Sequence, residues 1–84
     1  MRISEWDDLL DYADKIAIEL KEKGVNVEAT VYRMYNNDKG IYLRVFDKRG
    51  NFYEEYASGI WDTAAEYKSS LRRGALRITN KHLT

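Results

Sequence analysis

The sequence predicts a single α+β domain of two layers, in which two helices cover one face of a three-stranded antiparallel meander (α-β-β-β-α). Three observations support this fold class: helical apolar spacing near the N-terminus, three β-rich segments separated by turn residues, and a second helical stripe after Gly59. Eighty-four residues are enough for one domain, spanning residues 1–84, and too few for two.

The first helix is predicted over residues 5–23. Its apolar residues recur at the i, i+3, i+4 and i+7 spacing of an amphipathic helix, namely Trp6, Leu9, Leu10, Ala13, Ile16, Ala17 and Leu20. Ser4 is a candidate N-cap, because its hydroxyl can accept a hydrogen bond from a backbone N–H of the first turn.

Three strands are predicted over residues 25–35, 41–46 and 52–56, because these segments are rich in β-branched and aromatic residues. Turn residues 36–40 join the first two, and Gly50 supplies a left-handed residue between the second and third. A five-residue first loop puts Val31, Ile41, Leu43 and Val45 on the core side. The opposite face then carries Tyr32, Met34, Tyr42, Arg44 and Phe46, together with either Phe52 and Tyr56 or Tyr53.

The second helix is predicted from about residue 60 to Arg73. Thr63, followed three residues later by Glu66, resembles a capping box. Gly74 is expected to end this helix. Two interpretations of residues 75–84 remain: a short fourth strand at the edge of the sheet, or a flexible tail.

Composition excludes several classes of protein. The chain has no cysteine, so neither a disulfide framework nor a thiolate metal site is available. No stretch approaches the roughly 18 apolar residues of a membrane span, and the acidic start has no apolar run behind it, so no membrane association is expected. We therefore expect a cytoplasmic protein without a metal or cofactor.

Enzyme motifs are absent from the sequence. The single histidine, His82, falls in the segment interpreted as a tail, where a general base would be poorly held. Asp7, Asp11 and Asp14 share one helical face, which we interpret as a solvated acidic surface favoured by the helix N-terminus. No catalytic residues are predicted, and the chain is expected not to be an enzyme.

The aromatic face of the sheet is the leading candidate for a binding site. Exposed aromatics interleaved with arginine are typical of the energetic centres of protein interfaces, although such residues are also simply good strand formers. The predicted contact residues are Tyr32, Tyr42, Arg44, Phe46, Tyr53 and Tyr56. The expected function is that of a protein-binding adaptor, regulator or inhibitor, similar in size to accessory proteins of phages or mobile elements. Homodimerisation through an exposed strand edge is a further option.

The alternative is nucleic-acid binding through a basic C-terminal segment. Residues 68–84 contain no acidic residue, and their five basic residues are Lys68, Arg72, Arg73, Arg77 and Lys81. The element order resembles that of the double-stranded-RNA-binding domain, which implies the same helix–meander–helix fold. That family grips phosphates with a lysine-rich start of its second helix, where this chain has the acidic stretch 61–66. No residue role is therefore transferred.

Overall fold

The computed structural model describes residues 3–83, and the side chains of residues 5–83. Within this range the elements are α1 (Ile3–Glu22), β1 (Asn26–Arg33), β2 (Lys39–Phe46), β3 (Phe52–Ala57) and α2 (Ala64–His82). The strands form one open antiparallel sheet in the order β1-β2-β3, so β1 and β3 are edge strands. The predicted α+β fold, with a meander between two helices, is confirmed.

The hydrophobic core lies between one face of the sheet and both helices. It is built from the apolar stripe of each helix and from alternate residues of the strands. Its members are Leu9, Ala13, Ile16, Ala17, Leu20, Val25, Val27, Ile41, Leu43, Val45, Tyr67, Leu71, Ala75 and Ile78. Because both helices bury their stripes on the same face, the opposite face of the sheet is left without a helix over it.

The first hairpin has the predicted five-residue connection, residues 34–38. Val31 lies opposite Ile41, and Val27 lies opposite Val45, so the alternation predicted for β2 is correct. Ile41 and Val45 are fully buried, whereas Val31, at the rim of the sheet, stays 38% exposed. The register fixes which side chains of β2 point away from the core.

The second hairpin contains a β-bulge. Val45 pairs with Glu54, but Phe46 pairs with Phe52, so Tyr53 is an additional residue in β3. Gly50 in the preceding loop has φ +85°, the left-handed conformation predicted for it. The bulge turns the side chain of Phe52 to the same face as that of Phe46.

The C-terminal segment differs from both interpretations made from the sequence. α2 continues through Gly74 to His82, so residues 75–82 form neither a fourth strand nor a tail. Ala75 and Ile78 extend the buried stripe of the helix by two more turns, and their burial stabilises the continuation. A side chain at Gly74 would meet the Leu43 side chain at 3.5 Å, an ordinary packing distance. Gly74 therefore faces the sheet, with room for a methyl group, and does not end the helix.

The helix starts are partly as predicted. Thr63 caps α2: its Oγ1 accepts a hydrogen bond from the Glu66 backbone N at 3.2 Å and donates to the Glu66 carboxylate at 2.9 Å. α1 begins at Ile3, so the prediction that Ser4 precedes the helix is wrong. The Ser4 side chain lies outside the described part of the chain, as do Met1, Arg2 and Thr84.

Candidate functional site

The face of the sheet opposite the helices is the candidate site, and it is called the outer face below. The alternation of each strand places one set of side chains there. From the register these are Asn26, Glu28, Thr30 and Tyr32 of β1, Tyr42, Arg44 and Phe46 of β2, and Phe52, Glu55 and Ala57 of β3. Four of the predicted contact residues therefore share one surface: Tyr32, Tyr42, Arg44 and Phe46.

Two tyrosines form the first part of this surface. The rings of Tyr32 and Tyr42 stack with their centroids 4.2 Å apart and their planes at 28°. The Tyr32 ring lies over Gly40, where a larger residue would collide with it. Burial raises the pKa of the Tyr32 hydroxyl, an effect that hydrogen bonding to the Gly59 backbone and to Ser58 reduces. The ring is thus fixed in place by its neighbours.

Arg44 stands at the centre of the outer face. Its Nε donates to Glu55 Oε2 at 3.1 Å, an ion pair across the strands β2 and β3. Its guanidinium carbon lies 5.7 Å from the Tyr42 ring centroid and 5.9 Å from that of Phe52, within cation–π range. Glu28 lies opposite Arg44 in the register on the other side. The one cation of this surface is therefore flanked by two carboxylates.

Two phenylalanines complete the surface. Phe46 and Phe52 meet edge to face, with centroids 6.4 Å apart and planes at 79°. Phe52 is 56% exposed, the largest apolar exposure on the outer face. The sequence offered either Phe52 with Tyr56 or Tyr53 for β3, and because of the β-bulge at Tyr53 the outer face carries Phe52 without Tyr56. Gly50, which favours such a bulge after a hairpin loop, was the available signal.

The placement of Tyr53 and Tyr56 on this surface is wrong. Tyr56 lies on the helix-facing side, packed against the core. Burial raises the pKa of its hydroxyl, as does the adjacent Glu54. The Tyr53 ring lies 5.6 Å from the His82 ring, toward the end of α2. Regular strand alternation predicts the wrong face for both side chains because the bulge interrupts the alternation.

Glu54 joins β3 to the end of α2. Its carboxylate accepts hydrogen bonds from Lys81 Nζ at 2.6 Å and from Tyr56 Oη at 3.1 Å, and His82 Nε2 lies 2.8 Å away. Burial raises the pKa of Glu54, but the contacts with Lys81, His82 and Tyr56 lower it more, so it lies below its ordinary value. His82 is therefore held in a helix by a carboxylate, and its predicted place in a mobile tail is wrong.

The basic residues of α2 do not form one patch. Lys68 and Arg72 face α1: both lie over the Tyr12 ring, and Arg72 also donates to Tyr12 Oη at 2.8 Å and to Glu19 at 3.1 Å. These hydrogen bonds raise the pKa of Arg72. Lys81 is engaged by Glu54, as described above, which likewise raises the pKa of Lys81.

Arg73 and Arg77 are the remaining two cations of the predicted nucleic-acid set. Both side chains are exposed, and neither forms an ion pair or hydrogen bond with the side chains and backbone described for residues 5–83. They line a groove of about 370 Å³ between α2 and β3, together with Ser70, Glu55 and Ala57. The structure thus brings together two of the five residues and separates them from the other three.

The hydroxyl groups of Ser58 and Ser70 make structural hydrogen bonds. The buried Ser58 hydroxyl accepts from the Ile41 backbone N at 3.0 Å and donates to the Gly59 carbonyl at 2.8 Å. The Ser70 hydroxyl donates to the Ser58 carbonyl at 2.5 Å. These contacts attach the end of β3 to β2 and α2.

Two further observations concern residues 3–83 as a whole. Neither helix has the length and apolar character that crossing a bilayer requires. No group of three or more His, Asp or Glu side chains in this range is arranged to hold a metal ion. Comparison with protein-family models, with curated proteins and with solved structures found no match to the chain.

Proposed function

We propose that this chain is a non-enzymatic protein-binding module that contacts its partner through the outer face. The observation that carries the proposal is the cluster of stacked rings around Arg44 on the sheet face opposite both helices. Aromatic and arginine side chains dominate the energetics of protein interfaces, especially where they are packed and fixed before binding. The module acts as an adaptor, regulator or inhibitor of its partner.

The charge of the outer face favours a protein over a nucleic acid. Surfaces that stack bases combine aromatic rings with a positively charged groove that follows the phosphates. Here Arg44 is paired with Glu55 and has Glu28 on its other side. A phosphate backbone would meet two carboxylates for one guanidinium, whereas a protein partner can supply both charge signs.

The compartment proposed for this interaction is the cytoplasm. The chain contains no cysteine, and its packing is therefore independent of disulfides. Such a composition suits a reducing environment.

The test is capture of a partner from nuclease-treated lysate of the source cells, by wild type and by the double variant Tyr42→Ala/Phe52→Ala. Removing the two rings takes away the most exposed aromatic area beside Arg44 while leaving the core intact. We expect the wild type to retain a discrete protein, and the double variant to bind it more than tenfold more weakly in a titration, as at interface hot spots.

The matched control is Tyr35→Ala/Leu76→Ala, which removes two strongly exposed apolar side chains from the first hairpin loop and from α2. This control should retain the partner, and circular dichroism should show that both variants fold. Equal binding by wild type and the outer-face variant would contradict the proposal. Recovery of nucleic acid that is lost at high salt would favour the alternative function instead.

A further inference from the structure

The groove between α2 and β3 carries two cations one helical turn apart. Arg73 and Arg77 are spaced i, i+4, so their side chains lie on the same face of α2. Gly74 lies between them and contributes no side chain, which leaves the groove open toward Ser70 and β3. Both guanidinium groups therefore face the same space beside an edge strand.

Within the described part of the chain, these two arginines lack an anionic partner and, unlike Lys68, do not lie over an aromatic ring of α1 either. Lys81 is engaged by Glu54, and Arg72 by Glu19, whereas residues 3–83 supply no carboxylate within ion-pair distance of Arg73 or Arg77. A guanidinium presents a planar set of N–H donors that fits a carboxylate. The groove is thus complementary to an acidic group from outside the chain.

The backbone of β3 offers a second type of contact. Ser58 N donates to Ile41 O at 2.8 Å, which makes this pair a hydrogen-bonded one. Because hydrogen-bonded and non-bonded pairs alternate along an antiparallel ladder, Glu55 and Ala57 direct their backbone N–H and C=O groups away from β2. Both residues line the groove with Arg73 and Arg77. Unpaired backbone groups and unpaired cations therefore border the same space.

We propose that the edge of β3 binds an extended acidic segment of a protein partner, which adds to the sheet as a fourth strand. Its backbone pairs with Glu55 and Ala57, and its alternate carboxylates reach Arg73 and Arg77. Its other side chains then point to the outer face, next to Phe52. The inference deepens the proposed function and rests on it, since it names the chemistry of the protein partner: acidic and apolar residues in alternation.

The distribution of charge favours this edge and this class of partner. β1, the other edge, is packed mainly against α1, which carries seven acidic and two basic residues and would repel an acidic strand. The groove is lined by only two cations, Arg73 and Arg77, and by Glu55, whose carboxylate pairs with Arg44. Such a short cationic site suits separate carboxylates better than a continuous phosphate backbone.

The test is fluorescence anisotropy with the full chain and a labelled peptide of alternating glutamate and valine. We expect binding that weakens with added salt, and an affinity about tenfold lower in Arg73→Glu/Arg77→Glu, as for two exposed ion pairs. The matched control is Lys48→Glu/Arg49→Glu, which changes the net charge by the same amount in the exposed loop after β2. This control should bind the peptide with nearly the affinity of the wild type.

Backbone pairing is tested with the same peptide methylated on alternate amide nitrogens, which cannot form the ladder. We expect the methylated peptide to lose binding, and the unmodified one to shift the backbone amide resonances of Glu55 and Ala57. The inference would be overturned if both peptides bound equally, or if the two charge variants lost the same affinity for the peptide. It would also be overturned if no binding occurred at millimolar peptide, or if a single-stranded oligonucleotide displaced the peptide. Pairing of β3 with a second copy, seen as a dimer that excludes the peptide, would overturn it too.

Failure of this inference is distinguishable from failure of the proposed function. The proposed function depends on the captured protein and on Tyr42→Ala/Phe52→Ala, and the inference depends on the peptide and on the two arginines. If the captured protein binds Arg73→Glu/Arg77→Glu as tightly as it binds the wild type, the edge site is overturned and the proposed function is not.

Discussion

The two faces of the sheet carry different kinds of side chain from the same central strand, β2. In β2, Ile41, Leu43 and Val45 point into the core and are almost completely buried, while Tyr42 and Arg44 point to the outer face and remain partly accessible. These three covered side chains of β2 are aliphatic and have no polar group. The outer face carries rings and a guanidinium whose polar ends remain compatible with water.

The difference teaches how an uncovered sheet face stays ordered. Aliphatic side chains gain stability from burial, which requires the helices. Aromatic side chains and Arg44 instead contact one another across strands, through stacking, an edge-to-face contact and an ion pair. The outer face is therefore organised before any partner binds, and its removal should affect binding more than folding.

The largest effect is expected from a substitution on the covered face. Leu43→Ala removes a side chain that is 1% exposed in the middle of the central strand. We expect the free energy of unfolding to fall by about 2–5 kcal/mol, because the lost burial is accompanied by a cavity. Urea denaturation at neutral pH measures this change.

The neighbouring Tyr42→Ala is the comparison for the outer face. It removes the stack with Tyr32, and aromatic pairs of this kind contribute about 0.5–1.5 kcal/mol beyond burial. We expect a clearly smaller loss than for Leu43→Ala. A loss of equal size would mean that the outer face is part of the stabilising core, and the distinction between the faces would fail.

The second effect concerns Gly40, the residue of β2 beneath the Tyr32 ring. In Gly40→Ala the new methyl group would occupy the position of that ring, which must therefore move away from Tyr42. We expect a loss of about 1–3 kcal/mol, typical of an overpacked site, measured by thermal or urea unfolding.

A double-mutant cycle identifies the cause of this loss. In a Tyr32→Ala background the collision is absent, so Gly40→Ala should then cost much less. An equal cost in both backgrounds would place the effect in the strand backbone and not in the packing of the outer face.

The smallest effect concerns Glu54, a carboxylate on the covered side of the sheet at its rim. Its pKa is lowered in the folded protein by Lys81, His82 and Tyr56, against the opposing effect of burial. A carboxylate with a lowered pKa stabilises the fold above its ordinary pKa of 4.5, and this contribution disappears as the pH falls through the lower folded value. The stability advantage of wild type over Glu54→Gln should therefore narrow below pH 4.5.

The measurement is urea unfolding of both proteins between about pH 3 and pH 7. If the difference between wild type and Glu54→Gln is constant with pH, the contacts at the end of α2 do not stabilise the charged carboxylate.

The sequence predicts most of the fold because local signals agree with the global arrangement. Apolar spacing identifies α1, Thr63 and Glu66 mark the start of α2, and the five-residue loop fixes the register of β1 and β2. The end of α2 is not predictable in the same way. Gly74 has low intrinsic helix propensity, and the burial of Ala75 and Ile78 that overrides it depends on tertiary packing.

The candidate site is predictable only as far as the regular strands extend. The outer residues of β2 follow from alternation with the buried ones, and Tyr32 follows from the first hairpin. The outer residues of β3 can be predicted only if the position of the bulge is known, and that position depends on loop geometry. The sequence therefore misplaces Tyr53 and Tyr56, and only the structure places Phe52 on the outer face. The opposite charges of α1 and the C-terminal segment are compatible with a contact between them, but they do not specify the pair Arg72 and Glu19.

The order of the elements along the chain has a consequence for folding. Each strand pairs with its neighbour in sequence across a five-residue connection, so the sheet can form through short loop closures. The contact between α1 and α2 instead joins residues as far apart as Tyr12 and Arg72. Long-range contacts of this kind slow folding. During synthesis from the N-terminus, the three strands are made before α2, so α2 is not yet present to cover the aliphatic side chains of β2. Apolar surface exposed at this stage promotes aggregation.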